Sequence, residues 1–167
     1  MTEIVRKKFS EFKDSNRLFI YQSSRLINEE ESVKIETDIN ASLLNWNAHG
    51  MPLKAKAQIA FGYFLLIALD EEFEEPSGCS MDKLARMISD FGQKYNTDFL
   101  NRLNVIYALE DKLILTSLNK IRELISLETL TENTLIFNYA VEKVGDISNK
   151  WMIPLKNSWL SKYLQSV

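Results

Sequence analysis

Lys54-Ala55-Lys56-Ala57-Gln58-Ile59-Ala60-Phe61-Gly62-Tyr63-Phe64-Leu65-Leu66-Ile67-Ala68-Leu69 is the stretch on which the fold turns. Up to Phe61, small or apolar residues alternate with polar ones, the two-residue period of a half-buried strand. Gly62 permits a tight turn. From Tyr63 to Leu69 no strongly polar residue occurs, as expected of a central strand covered on both faces. The stretch predicts a hairpin whose second strand runs through the interior.

Working outward toward the N-terminus, His49-Gly50 followed by Pro52 reads as a helix stop, with glycine at the cap and proline just beyond. The helix it would end begins at Asn28, where Glu31 three residues later forms a capping box. Ile35, Ile39, Leu43 and Trp46 recur at helical spacing between them, so the expected helix has about five turns. Before it, Leu18-Phe19-Ile20-Tyr21 is a short β-rich run.

Working toward the C-terminus, the acidic run Asp70 to Glu75 leaves the sheet. A second helix is expected to start near Ser80, because Met81, Leu84, Ile88, Phe91 and Tyr95 form a clean apolar stripe. Val105–Leu109 and Lys112–Thr116 read as two further strands. The resulting order, β-α-β-β-α-β, predicts an α+β fold with a ferredoxin-like core: an antiparallel sheet with two helices on one face. That core would span residues 1–116. Residues 117–167 would form a C-terminal α/β extension packed on it, with a short helix at Ser117–Ile125, a strand at Thr134–Phe137 and a tail carrying Trp151, Pro154 and Trp159.

Composition narrows the function classes. The 167 residues are 46% hydrophobic and 26% charged, which is globular material and not a disordered chain. A net charge of −3 leaves no basic excess to neutralise phosphates, so no nucleic-acid partner is expected. The longest apolar run is too short to span a bilayer, and the N-terminus has no apolar segment behind its charges, so neither membrane nor export is expected. One cysteine makes no intrachain disulfide and suits a reducing compartment. The expectation is a soluble cytoplasmic protein.

The predicted topology gathers the unusual residues at one end of the sheet: His49, Gly50, Lys54, the acidic run and the turn Ser77-Gly78-Cys79-Ser80-Met81-Asp82. A thiol at a helix start sits in the partial positive charge of that terminus, so Cys79 is a candidate nucleophile with His49 as its base. Its plainer reading is a small buried residue in a turn. Ser77, Gly78, Cys79, Ser80 and Lys54 are candidates for holding a phosphate or carboxylate. Against that, Ser80 would serve simply as an N-cap, and Asp82 would repel an anion. The acids of Asp70–Glu75 lack the alternation and glycine of a calcium loop, and one histidine with one cysteine cannot build a structural zinc set, so no metal is expected. Trp151 and Trp159 would either form an aromatic groove or pin the tail to the core. No G-x-x-x-x-G-K-[ST], no G-x-G-x-x-G after a strand and no G-x-S-x-G elbow is present, and no cofactor is expected.

Two function classes remain. The first is a non-enzymatic binding or protein-interaction module, whose partner would be a protein or a small anionic ligand. The second is a cysteine-dependent enzyme or thiol sensor centred on Cys79 with His49.

The chain also resembles a family of uncharacterised bacterial proteins found mainly in Bacteroidetes. The resemblance is carried by Arg17–Ser23, Trp46–Ala55, Phe64–Glu71, Ser77–Asp82 and Thr134–Asn138, with Trp151-x-x-Pro154 and Ser158-Trp159 in the tail. Members are often labelled "ABC transporter ATPase", but this chain lacks the phosphate-binding loop such an ATPase needs. The resemblance implies membership and assigns no role to the His-Gly or Ser-Gly-Cys-Ser stretches. Ser117–Ile125 followed by Thr134-Leu135-Ile136-Phe137 also resembles small GYF-type peptide-binding modules. The letters Gly62-Tyr63-Phe64 lie elsewhere, in the predicted hairpin.

Overall fold

The computed structural model describes residues 1–166. The predicted hairpin is present: β4 (Lys54–Ala60) and β5 (Phe64–Asp70) pair antiparallel, with Ala60 opposite Phe64. Phe61 and Gly62 turn it with φ of 56° and 70°. Every residue of β5 is buried. Strand β1 (Arg17–Gln22) pairs antiparallel with the other side of β5, giving the order β1-β5-β4.

Helices cover one face of this sheet. Helix α2 (Glu29–Leu43) opens on the expected capping box: the Asn28 side chain accepts from the Glu31 N–H at 2.9 Å, and the Glu31 carboxylate accepts from the Asn28 N–H at 3.1 Å. Helix α3 (Gly78–Lys94) turns Leu84, Ile88 and Phe91 inward. These side chains and Ile35, Ile39 and Leu43 of α2 meet Leu65, Ile67 and Leu69 of β5 in one core cluster. Period two in the strand and period 3.6 in the helices bring the two apolar faces together.

The opposite face of the same sheet is not bare. Phe64, Leu66 and Ala68 pack against a second antiparallel sheet, ordered β7-β6-β8-β9, from β6 (Asn104–Leu109), β7 (Lys112–Ser117), β8 (Leu135–Phe137) and β9 (Met152–Pro154). Phe64, Phe137 and Trp151 bind the two sheets, with ring centroids 4.5–5.0 Å apart. The outer face of the second sheet, with Val105, Tyr107 and Ile136, is covered by α4 (Ile121–Ser126), Leu155 and Leu160. The layers therefore run helix, sheet, sheet, helix.

This corrects the ferredoxin-like expectation. The fold is α+β, and the first three predicted strands take the expected relative order. The strand at 104–109 does not close that sheet beside β1 but builds the second one. The place beside β1 is taken in part by the chain near Lys143, which bridges Arg17. The predicted boundary between residues 116 and 117 falls inside β7, and β8 and β9 beyond it extend the same sheet as β6 and β7. The N-terminus, to which the sequence assigned no element, forms α1 (Thr2–Lys7) and buries Val5, Phe9 and Phe12 with Val144 and Trp151.

Two other boundaries differ. Helix α2 stops at Leu43, and His49-Gly50 turns a small hairpin between β2 (Asn47–Ala48) and β3 (Met51–Pro52). His49 and Gly50 have φ of 49° and 82°, the positive pair that a two-residue hairpin turn demands. Helix α3 is capped by Ser77, three residues before the expected Ser80. Among the described residues no helix is long and apolar enough to cross a membrane.

Candidate functional site

The end of the sheet predicted to hold a site is mostly occupied with its own contacts. Lys54 Nζ lies 2.9 Å from the Asp70 carboxylate, so this candidate anion ligand already has its anion. Asp70 is buried and also accepts from Asn16 Nδ2 at 3.2 Å and the Glu72 N–H at 3.2 Å. The Lys54 ammonium holds its carboxyl below the usual aspartate range, with the Glu72 N–H and Asn16 in support. Glu71 and Glu72 pair with Arg17 and Lys13. The acidic run is thus a clasp on the N-terminal arm. Among the described residues no group of three or more His, Cys, Asp or Glu stands together to hold a metal ion.

The two serines of the helix start are similarly spent. Ser77 Oγ accepts from the Ser80 N–H at 3.2 Å, and the Ser80 hydroxyl donates back to the Ser77 carbonyl at 2.8 Å. Ser80 is buried, and its carbonyl accepts from Trp46 Nε1 at 2.8 Å, which sets the 47–52 hairpin beside the first turn of α3. Gly78 and Cys79 are exposed, as is His49. The plainer reading of Cys79 as a buried packing residue is therefore corrected. The catalytic reading gains nothing either: no hydrogen bond joins the thiol to His49 among the described residues.

A cleft of about 710 Å³ lies elsewhere, beside the end of β1 where the chain at Asn138-Tyr139-Ala140 diverges from it. This volume is in the range of small-ligand sites. Ile20, Phe99, Leu100, Ile153 and Trp159 supply apolar wall. Gln22, Asn104, Tyr139 and Arg102 supply polar groups, and no Asp or Glu lines it. Arg102 is exposed and makes no salt bridge among the described residues.

Two of the polar side chains are anomalous. Gln22 is 5% exposed, and both atoms of its carboxamide are buried without a hydrogen-bond partner among the described residues. The Tyr139 hydroxyl is likewise buried and unpartnered. Burial pushes its pKa up, so the hydroxyl keeps its proton and stays a donor at any physiological pH. Each such group costs about 1–3 kcal/mol relative to a satisfied one. Gathering them beside one cavity marks a place where stability yields to something else.

Of the sequence candidates, Trp159 alone joins this cleft. Trp151 lies in the core between the sheets. A weak signal was available for Gln22, a polar residue following the apolar run Leu18–Tyr21. None was available for Tyr139 or Arg102, which reach the cleft only through the second sheet and its connections. Comparison of the chain with protein-family models, with curated proteins and with solved structures finds no match.

Proposed function

We propose that the chain is a non-enzymatic binding module and that the cleft beside β1 is its site. One observation carries this reading: Gln22 and Tyr139, whose carboxamide and hydroxyl are buried without partners among the described residues, are both lining residues of a cavity large enough for a ligand. A ligand with both an apolar body and hydrogen-bonding groups suits this mixed lining, and would reach the Gln22 and Tyr139 groups once those side chains turn toward it. A lining with one arginine and no carboxylate favours an anionic one, in keeping with a small anionic ligand or a protein segment as partner. A reducing, cytoplasmic setting suits the exposed single thiol. The resemblance to the uncharacterised Bacteroidetes family belongs to the same proposal and is compatible with it.

The test is a fragment screen followed by backbone amide NMR shifts. Fragments should perturb Gln22, Arg102 and Tyr139, and a cleft-filling Ala140→Trp substitution on the exposed rim should abolish those shifts while leaving the rest of the spectrum intact. Fragments that instead gather at Cys79 and His49, indifferent to Ala140→Trp, would overturn the reading in favour of the thiol site.

A further inference from the structure

We infer that the cleft takes an extended, acidic peptide segment, which adds as a strand to the free edge of β1; this rests on the cleft being the binding site. The argument begins with which way the backbone groups of β1 point. Just beyond the strand, the Ser23 N–H donates to the Tyr63 carbonyl at 2.7 Å, so the odd residues turn their backbone groups toward β5. The even residues turn theirs outward. Leu18 N–H donates outward to the Glu142 carbonyl at 2.8 Å, and the Asn16 carbonyl accepts from the Val144 N–H at 3.0 Å. Ile20 and Gln22 continue that outward row. There the neighbouring chain has diverged, and no hydrogen bond to another segment meets their N–H and C=O groups among the described residues.

The cleft lies against this edge. Ile20 and Gln22 project from one face of β1 and Tyr21 from the other, yet all three line the same cavity, which is possible only if the cavity runs along the side of the strand. A peptide there would sit about 4.8 Å from β1, the spacing of paired strands, and continue the ladder that Glu142 and Lys143 begin. The opposite edge of the same sheet shows the alternative. There, Asn40 of α2 donates to the Ala57 carbonyl and accepts from the Ala57 N–H, both at 2.9 Å, and Glu36 accepts from the Ile59 N–H at 2.8 Å. Helix side chains close β4 against a new strand, whereas β1 is left open beside a cavity.

Main-chain pairing supplies affinity without sequence preference, and wall side chains supply the preference. Arg102, without a salt bridge, is the one charged group in the lining, so the peptide it selects carries a carboxylate near the paired residues.

The probes are acetylated seven-residue peptides of alternating valine and threonine, flanked by glutamates or by lysines, together with versions methylated on alternate backbone nitrogens in each of the two registers. The glutamate-flanked peptide should slow hydrogen exchange at the amides of Ile20 and Gln22. Methylation in the register that faces β1 should abolish this. Arg102→Gln should weaken binding by roughly tenfold and erase the glutamate-over-lysine preference. Protection at the amides of Leu113 and Leu115, on the edge of β7, would overturn the inference. So would peptide binding in the cleft that survives both methylations, or no protection of Ile20 and Gln22 at millimolar peptide. If fragments still occupy the cleft in either of those last two outcomes, strand addition fails while the binding-module reading stands; if nothing occupies it, both fail.

Discussion

At the scale of the residue, Asp70 shows how a group read as a loop acid becomes a structural anchor. It is buried, and Lys54, Asn16 and the Glu72 N–H surround it. Its folded pKa is depressed, chiefly by Lys54. Its stabilisation is therefore complete above the unfolded aspartate value of about 3.9 and is lost as pH falls through the lower folded value. Asp70→Asn should cost roughly 1–3 kcal/mol at neutral pH. The gap in urea midpoints between the two proteins should close as pH is lowered from 5 toward 2. A gap of constant size across that range would mean that the carboxylate charge contributes nothing. The same scale separates residue type from availability: Lys54 and Ser80 have the right chemistry for an anion, and only their partners reveal that it is already used.

Among the elements, turns separate what local pattern can say from what neighbours impose. Gly50 and Gly62 both have positive φ, at 82° and 70°. A Cβ at Gly50 would meet nothing within 4 Å, whereas one at Gly62 would lie 2.6 Å from the Ile27 carbonyl oxygen, which is backbone and cannot give way cheaply. Gly50→Ala should thus cost only the conformational strain, about 1–2 kcal/mol. Gly62→Ala should cost clearly more, since strain and clash add. Thermal unfolding of the two variants side by side measures this, and equal losses would place the Ile27 contact among the tolerant ones. Helix α2, β4–β5 and the stripe of α3 were legible because capping boxes and periodicity are local. The hairpin at Asn47–Pro52 was not. Its glycine and proline also punctuate a helix end, and the choice was made by Trp46, whose indole is held by the Ser80 carbonyl of α3.

For the whole molecule, the central fact is that the two sheets share one interior. Val5, Phe9, Leu66, Ile106, Phe137 and Trp151 belong to a single cluster drawn from both ends of the chain. A fragment of residues 1–116, which the strand order alone recommends as a domain, should therefore fail to fold. It loses β8, β9 and Trp151, and with them Phe137, Val141, Val144 and Ile147 from the cover over one face of β5. Circular dichroism and amide NMR of the fragment would test this, and a dispersed spectrum would show the first layers to be self-sufficient. By itself, the amino-acid sequence determined β1, α2, the β4–β5 hairpin, α3 and the strands β6 and β7, with the interior place of β5 and the mixed α+β class, because these follow from spacing and capping within a few residues. Only the tertiary structure decided the second sheet, the docking of the N-terminal helix and the cleft with Gln22, Tyr139 and Arg102. Each of these depends on which apolar face meets which. Apolar burial is non-directional, so a strand at 104–109 is equally apolar whether it completes one sheet or founds another.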